Sequence, residues 1–220
     1  MNFTHDFAAD LAALDFNSPD PWALVRFADG ERAILEGRDI PTADGWKVPP
    51  VDSEFTRGLW ESLHFRDEGY HVGISCVCCD PQSAEWYRAR VGVPESRCTY
   101  SNLFANGNAE VAYQRLLDTA QSHMAVLIFP NCDCVGNMPR IDDMLSQLKH
   151  LDLRKRECFF VAAGPASNII IHRYWRDTPP EKRRTIVDIG SALDPLLHNK
   201  ITRGYHHPDH PNRQKVCVWS

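Results

Sequence analysis

Two carboxylates separated by one glycine follow an apolar run near the start of the chain. Residues 22–25 are apolar, Arg26 comes next, and Asp29 and Glu31 flank Gly30. Carboxylate oxygens are ligands that Mg²⁺ and Mn²⁺ prefer, and a glycine lets the chain turn so that both face one point. A neighbouring arginine suits a phosphate. The segment indicates a site where a divalent cation holds a diphosphate, or a simpler surface turn in which Asp29 caps a helix.

Other polar or small residues also follow apolar runs. Gly164 precedes a proline and an apolar helix, whose first backbone N–H groups could cradle a phosphate. Asp188 lies within an apolar run and Asp194 follows it, and a buried carboxylate needs either backbone partners or a role in binding. Residues 99–108 combine small, polar and aromatic side chains, and Asn102 among them could bind a base or a sugar.

The hydrophobic pattern predicts the elements that would position these residues. Six short apolar runs suit buried strands: 22–27, 70–75, 124–129, 158–163, 185–189 and 215–219. Helical patterns lie between them: Phe7 to Leu14, Phe55 to Leu63 behind a cap at Asp52 or Ser53, 108–122, Ile141 to Leu148 and Ile169 to Trp175. This alternation predicts an α/β fold, with a mostly parallel sheet covered by helices on both faces. Ligands of such sheets bind beyond the carboxyl ends of the strands.

Composition and charge narrow the class of protein. The 220 residues contain no repeat or linker-like tract, which predicts one domain over 1–220, with its core at about 20–195 and a basic, His-rich extension over 196–220 that ends in a strand. A net charge of −5 argues against a nonspecific nucleic-acid binder. No apolar stretch reaches the roughly 18–20 residues of a membrane span, and the acidic first residues lack the basic region of a signal peptide. We expect a cytoplasmic protein; no oligomeric state is indicated.

The eight cysteines offer a second kind of site. Five of them follow two apolar runs: Cys76, Cys78, Cys79, Cys132 and Cys134. Without an export signal these thiols are expected to be reduced, and four thiolates that met at one edge of the sheet could bind a structural zinc ion. The C-x-C-C and C-x-C spacings differ from the usual C-x₂-C, so small buried residues in tight loops are the other interpretation.

The segment 203–215 is rich in histidine and basic residues, and its proline content suggests an exposed loop. Four of its side chains could bind a metal: His206, His207, Asp209 and His210. Its basic residues could instead contact the phosphate of an acceptor, of a lipid-linked carrier or of DNA.

Taken in order, these stretches resemble the GT-D-fold glycosyltransferases, a family first described as a domain of unknown function. The family pattern is a strand ending in R-F-G-D-G-E, a Y-S-N segment, a late G-P turn and D-I-G near the end. Here they read RFADGE at 26–31, YSN at 100–102, GP at 164–165 and DIG at 188–190. The resemblance spans about residues 20–195, and RFADGE is its specific element. Ala28 replaces a glycine, which is tolerated unless the backbone there needs a positive φ.

The resemblance implies a Rossmann-like domain that moves a sugar, typically a hexosyl group of a UDP-sugar, to an acceptor hydroxyl. That acceptor is a glycan, a glycoprotein or a lipid-linked carrier. It also implies a divalent cation, Mn²⁺ or Mg²⁺, held by Asp29 and Glu31, which are catalytic together with Asp188. The donor-binding residues expected at this site are Arg26, Phe27, Gly30, Ser101, Asn102, Gly164 and Asp194.

Several alternatives remain open from the sequence. The general base could be Asp188, Asp194 or Glu31, and Arg26 either helps to bind phosphate or pairs with a neighbouring acid. The chain could instead glycosylate modified DNA bases, act as a metal-dependent phosphoesterase through Asp29, Glu31 and Asp188, or be a zinc-binding module without catalytic activity.

Overall fold

Six parallel strands form one sheet in the computed structural model, which describes residues 1–39, 47–122, 125–128, 134–151, 157–199 and 203–220. The strands are β1 (Ala23–Arg26), β2 (Tyr70–Ile74), β3 (Cys98–Tyr100), β4 (Ala125–Ile128), β5 (Cys158–Val161) and β6 (Ile186–Asp188). They lie in the order β3-β2-β1-β6-β5-β4, and every neighbouring pair is parallel. The predicted α/β class with a parallel sheet is confirmed.

The described α-helices cover both faces of this sheet. They are α1 (Phe7–Ala12), α2 (Asp29–Leu35), α3 (Glu54–His64), α4 (Pro81–Arg88), α5 (Ala109–Gln121), α6 (Met138–His150), α7 (Ala166–Asp177) and α8 (Asp194–Leu197). None of the helices in these ranges is both long enough and apolar enough to cross a bilayer.

The strand order decides which helices share a face. Crossovers between parallel strands are right-handed, so connections that move in one direction across the sheet put their helices on one side. The steps from β1 to β3 and from β4 to β6 move in the same direction, and α2, α3, α6 and α7 pack together as one layer. The long return from β3 to β4 carries α5 on the other face. Two adjacent side chains of β5 point to these two faces. Phe159 contacts Tyr174 of α7, whereas Phe160 contacts Phe16, which follows α1.

Helix α3 illustrates how the local sequence fixes the start and the buried face of a helix. Ser53 is the N-cap, and its hydroxyl accepts a hydrogen bond from the backbone N–H of Thr56. Phe55, Leu59 and Leu63 are fully buried, as their i, i+4, i+8 spacing predicts.

The predicted strand at 215–219 is wrong, and β3 takes its place as the sixth strand. Buried Cys217 and Trp219 alternate with exposed valines, which imitates a half-buried strand. Side chains rather than a backbone ladder hold this segment, because the Trp219 ring stacks on His5 with centroids 4.1 Å apart. β3 has only three residues, too few for a hydrophobic run to stand out.

Two buried histidines should each make a contribution to stability that is lost in acid. His172 of α7 is 2% exposed and packs against Phe65, and burial lowers its pKa to about 4. Burial also lowers the pKa of His71. Between about pH 4 and 6.5 the His172 ring therefore binds a proton in the unfolded chain but not in the native state, so the stability that depends on its neutral form is lost as the pH falls through this window. For His172 alone the free energy of unfolding should fall by up to about 3 kcal/mol.

Urea unfolding at pH 7 and pH 5 checks this expectation. His172→Leu should lose less stability between the two pH values than the wild type, whereas a change at exposed His150 should leave the difference unaltered. Equal losses in wild type and His172→Leu would contradict the assignment.

Candidate active site

Arg26 ends β1 where that strand lies beside β6, and several elements hold it. Its Nη1 donates to the carbonyl oxygen of Ser101 at 2.7 Å, and its Nη2 lies 3.5 Å from Oδ1 of Asp188. Its backbone N–H donates to Oδ1 of Asn168 at 3.1 Å, and its carbonyl oxygen accepts from Nδ2 of the same residue at 3.0 Å. The sequence leaves two roles open for Arg26, and the structure shows one of them, the pairing with a neighbouring acid, Asp188.

Asp188 is a buried carboxylate with its partners in place. Besides pairing with Arg26, its Oδ1 accepts a hydrogen bond from the backbone N–H of Gly190 at 2.9 Å. Burial raises the pKa of Asp188, while the guanidinium and this N–H oppose the rise. Gly190 has a φ of +51°, and a Cβ there would lie 2.0 Å from Nη2 of Arg26. The turn after β6 therefore requires glycine both for its conformation and for the approach of the guanidinium.

The segment after Arg26 forms the first turn of α2. Ala28 is the N-cap with a φ of −122°, an extended conformation that any residue adopts, so the alanine that replaces the family's glycine causes no strain here. Its N–H donates to Oε2 of Glu31 at 2.8 Å, and its carbonyl oxygen accepts from the Tyr87 hydroxyl at 2.6 Å. Glu31, and not Asp29, thus supplies the capping interaction, and the alternative in which Asp29 is the cap is wrong. Asp29 is exposed in the first turn.

Like charges surround Glu31, which is half-buried. Its pKa is raised to about 7, chiefly by burial and also by the carboxylates of Asp188 and Asp29, while the hydrogen bond from the Ala28 N–H opposes the rise. A divalent cation would relieve this repulsion, and carboxylate oxygens are its preferred ligands. Asp29 and Glu31 therefore have the charge and the ligand type that the predicted cation site requires.

The remaining predicted site residues lie in different surroundings. Phe27 is fully buried with its ring 5.8 Å from that of Tyr87, in the hydrophobic core, so it offers no surface to a donor. Gly30 is the second residue of α2. Gly164 has a φ of +54° in the turn between β5 and α7, and Asp194 begins α8 and is 8% exposed.

Asn102 faces the cysteines. Its Nδ2 lies 3.0 Å from Sγ of Cys217 and 3.5 Å from Sγ of Cys79. Ser101 contributes its carbonyl oxygen to Arg26, so this loop after β3 contacts both the arginine and the sulfurs.

Four cysteines come together, but they are not the predicted set. The sulfurs of Cys76, Cys78, Cys79 and Cys217 all lie within 4.8 Å of one another. Cys134 is buried outside this group, and Cys132 lies outside the described residues. Across the described ranges this is the one group of three or more His, Cys, Asp or Glu ligand atoms so close together, so the histidines of 203–215 form none.

Sequence reasoning missed Asn168 and Cys217 as site residues. Asn168 is fully buried at the start of an apolar helix, and that placement of an amide was the available signal. Cys217 lies in the strand-like run at the end of the chain, and nothing in its spacing links it to β2.

A cavity of about 320 Å³ opens at the same edge of the sheet, beyond β6. It lies between the start of α5 and the segment after β6, and its lining includes Glu110, Tyr113, Pro195, His206 and Arg213.

Comparison with solved structures identifies the fold. A structure described as the highly conserved domain of unknown function 1792, with a distinct glycosyltransferase fold, superposes with a TM-score of 0.53 over 88% of this chain and 83% of that chain, at 15% identity. A protein described as a new glycosyltransferase (DUF1792) from Streptococcus sanguinis superposes with a TM-score of 0.57 over 97% of this chain and 92% of that chain, also at 15% identity. The chain has the DUF1792 glycosyltransferase fold. No family model and no curated protein matches it by sequence. The predicted resemblance is thereby confirmed in its fold.

The Arg26–Asp188 pair should contribute more to the free energy of unfolding of this DUF1792-type fold than a shorter but exposed ion pair does, because it is largely buried. The two side chains are 14% and 6% exposed at 3.5 Å, whereas Arg140 and Asp143 on α6 are 39% and 51% exposed at 2.7 Å. Asp188→Asn leaves a buried guanidinium without its counter-charge and should lower the free energy of unfolding by about 3 kcal/mol. Asp143→Asn should cost at most about 0.5 kcal/mol.

Urea denaturation of the single variants, and of a double-mutant cycle with Arg26→Met, measures the difference. We expect a coupling energy of roughly 1–3 kcal/mol for the buried pair. Additive losses would show that Arg26 and Asp188 act independently.

Proposed function

We propose that the chain is a glycosyltransferase that uses a nucleotide-sugar donor, a UDP-sugar, together with Mn²⁺ or Mg²⁺. The observation that carries this proposal is the carboxylate pair Asp29 and Glu31, which follows β1 beside its junction with β6 in a sheet of glycosyltransferase fold. Ligands of parallel sheets bind beyond the carboxyl ends of the strands, where these two acids lie.

Asp29 and Glu31 would hold the cation, and each has a distinct part. Asp29 is exposed and able to reach an ion that arrives with the donor. Glu31 is fixed by its hydrogen bond from Ala28, which leaves its other carboxylate oxygen for the ion. A bound divalent cation neutralises the diphosphate as it departs.

In the transfer itself, the acceptor hydroxyl oxygen forms a bond to the anomeric carbon. The bond from that carbon to the diphosphate oxygen breaks, and its electron pair leaves with the nucleoside diphosphate. The hydroxyl proton passes to a carboxylate at this edge, for which Asp194 is the candidate, or Glu31 if Asp29 holds the ion without it. Asp188 we assign as a positioning residue, because its Oδ1 already accepts from Arg26 and Gly190.

The contacts of the basic residues near the end of the chain are an argument for an uncharged acceptor, such as a glycan hydroxyl, and against DNA. Nη2 of Arg213 lies 2.6 Å from Oε2 of Glu110, and Nζ of Lys215 donates to the carbonyl oxygen of Cys78 at 3.1 Å. These cations have partners within the chain, whereas a nucleic-acid surface depends on unpaired basic side chains.

Thermal unfolding with a panel of UDP-sugars, with and without Mn²⁺, tests the donor site. A ligand that binds only the native state at 100 times its Kd should raise the Tm by about 5–10 °C. The rise should require Mn²⁺ and disappear in Asp29→Ala. Asp20→Ala, an equally exposed aspartate before β1 at the other edge of the sheet, should retain it. The absence of any shift with every nucleotide sugar would contradict the proposal.

Turnover separates a transferase from a phosphoesterase. The transferase should release UDP from the stabilising donor, faster with an acceptor present, and leave simple phosphate monoesters and diesters intact. Metal-dependent cleavage of such esters without a nucleotide sugar would favour the phosphoesterase instead.

A further inference from the structure

Four thiols from two distant parts of the chain converge at the carboxyl end of β2. Cys76, Cys78 and Cys79 lie in the tight turn after β2, in which the N–H groups of Cys79 and Asp80 both donate to the carbonyl oxygen of Cys76. Cys217 comes from the C-terminal segment, 138 residues after Cys79. The donor-site proposal uses none of these sulfurs.

The distances between the sulfurs match a tetrahedron around one ion. Sγ of Cys76 lies 3.5 Å from that of Cys78, Cys78 lies 4.0 Å from Cys79, and Cys79 lies 3.9 Å from Cys217. Zinc–sulfur bonds of about 2.3 Å directed to the corners of a tetrahedron place the sulfurs about 3.8 Å apart. A disulfide would instead bring two of them to about 2.05 Å.

Amide N–H groups point at the sulfurs as they would at thiolates. Nδ2 of Asn106 lies 3.3 Å from Sγ of Cys217, which Asn102 also contacts. The backbone N–H of Val218 donates to Sγ of Cys78 at 3.3 Å. Asn106 is 7% exposed and has a φ of +53°, a strained conformation that keeps its amide over the cluster. Such second-layer donors orient metal-binding ligands and stabilise their charge.

Charge is partly compensated at the same place. Four thiolates and one Zn²⁺ carry a net charge of −2, and the Lys215 ammonium lies beside the Cys79 sulfur. The segment that supplies Lys215 and Cys217 is anchored by further contacts, since the Gly107 N–H donates to the Lys215 carbonyl oxygen at 3.0 Å.

We propose that Cys76, Cys78, Cys79 and Cys217 bind one Zn²⁺ ion that fastens the C-terminal segment to the carboxyl end of β2. Binding converts each thiol to a thiolate and releases its proton to solvent. Four protein thiolates complete the coordination of the ion and leave no position for water, so the site is structural. Because the Ser101–Asn102 loop contacts both the cluster and Arg26, the ion would also stabilise the arginine end of the candidate active site.

Metal analysis of the purified full chain tests this proposal without reference to any transferase activity. We expect about one zinc per chain after dialysis against a weak chelator, and Co²⁺ substitution under anaerobic conditions should produce thiolate-to-cobalt charge-transfer absorption. Removing the ion with a strong chelator should lower the Tm by about 5–10 °C, and added Zn²⁺ should restore it.

Matched cysteine variants identify the ligands. Cys217→Ser should lose the bound zinc and the sensitivity of the Tm to chelator, whereas Cys134→Ser, at a buried cysteine outside the cluster, should keep both. Far-UV circular dichroism shows whether each variant is folded, and the Co²⁺ spectrum of the wild type stands independently of the variants.

Four results would overturn the proposal. The first is a wild-type chain that takes up neither Zn²⁺ nor Co²⁺ in its reduced form. The second is iron bound in place of zinc, and the third is a disulfide between any two of the four cysteines in freshly purified protein. The fourth, retention of zinc by Cys217→Ser with loss in Cys134→Ser, would assign the site to a different set of thiols.

Discussion

The buried guanidinium of Arg26 joins the two halves of the sheet. β1 and β6 share only two paired positions, Ala23 with Ile186 and Leu24 with Val187, so the backbone ladder at this junction is short. Arg26 extends the connection beyond the ladder through Asp188, the last residue of β6, and Ser101 after β3. Because a buried charge without partners is costly, each of these contacts constrains the others, and the loops at the carboxyl edge are fixed relative to one another.

The loop after β3 links this arginine to the cysteine cluster. Ser101 gives its carbonyl oxygen to Arg26, and the next side chain, Asn102, points its amide at the sulfurs. Of the three acids assigned to the candidate site, Asp29 is exposed, whereas Glu31 and Asp188 accept hydrogen bonds from backbone N–H groups. Two fixed acids beside one exposed acid would suit the proposed cation site, since most of its geometry would exist before binding.

Much of the fold could be read from local pattern. The apolar runs at 22–27, 70–75 and 158–163 each contain a strand, and the apolar spacing of α3 matches its buried face. These features are local because burial on a strand or helix follows directly from residue spacing. The run at 215–219 shows the limit, because alternating burial can arise from side chains that dock singly on a surface as well as from a strand.

By itself the sequence determined the α/β class and the position of the RFADGE segment after a buried strand, because hydrophobic period and chain order are local properties. Only the tertiary structure decided which residues meet. Asn168 reaches Arg26 across 142 positions, and Cys217, rather than Cys134, completes the cysteine group. Spacing along the chain carries no information on strand order, and the order β3-β2-β1-β6-β5-β4 places those distant residues at one edge of the sheet.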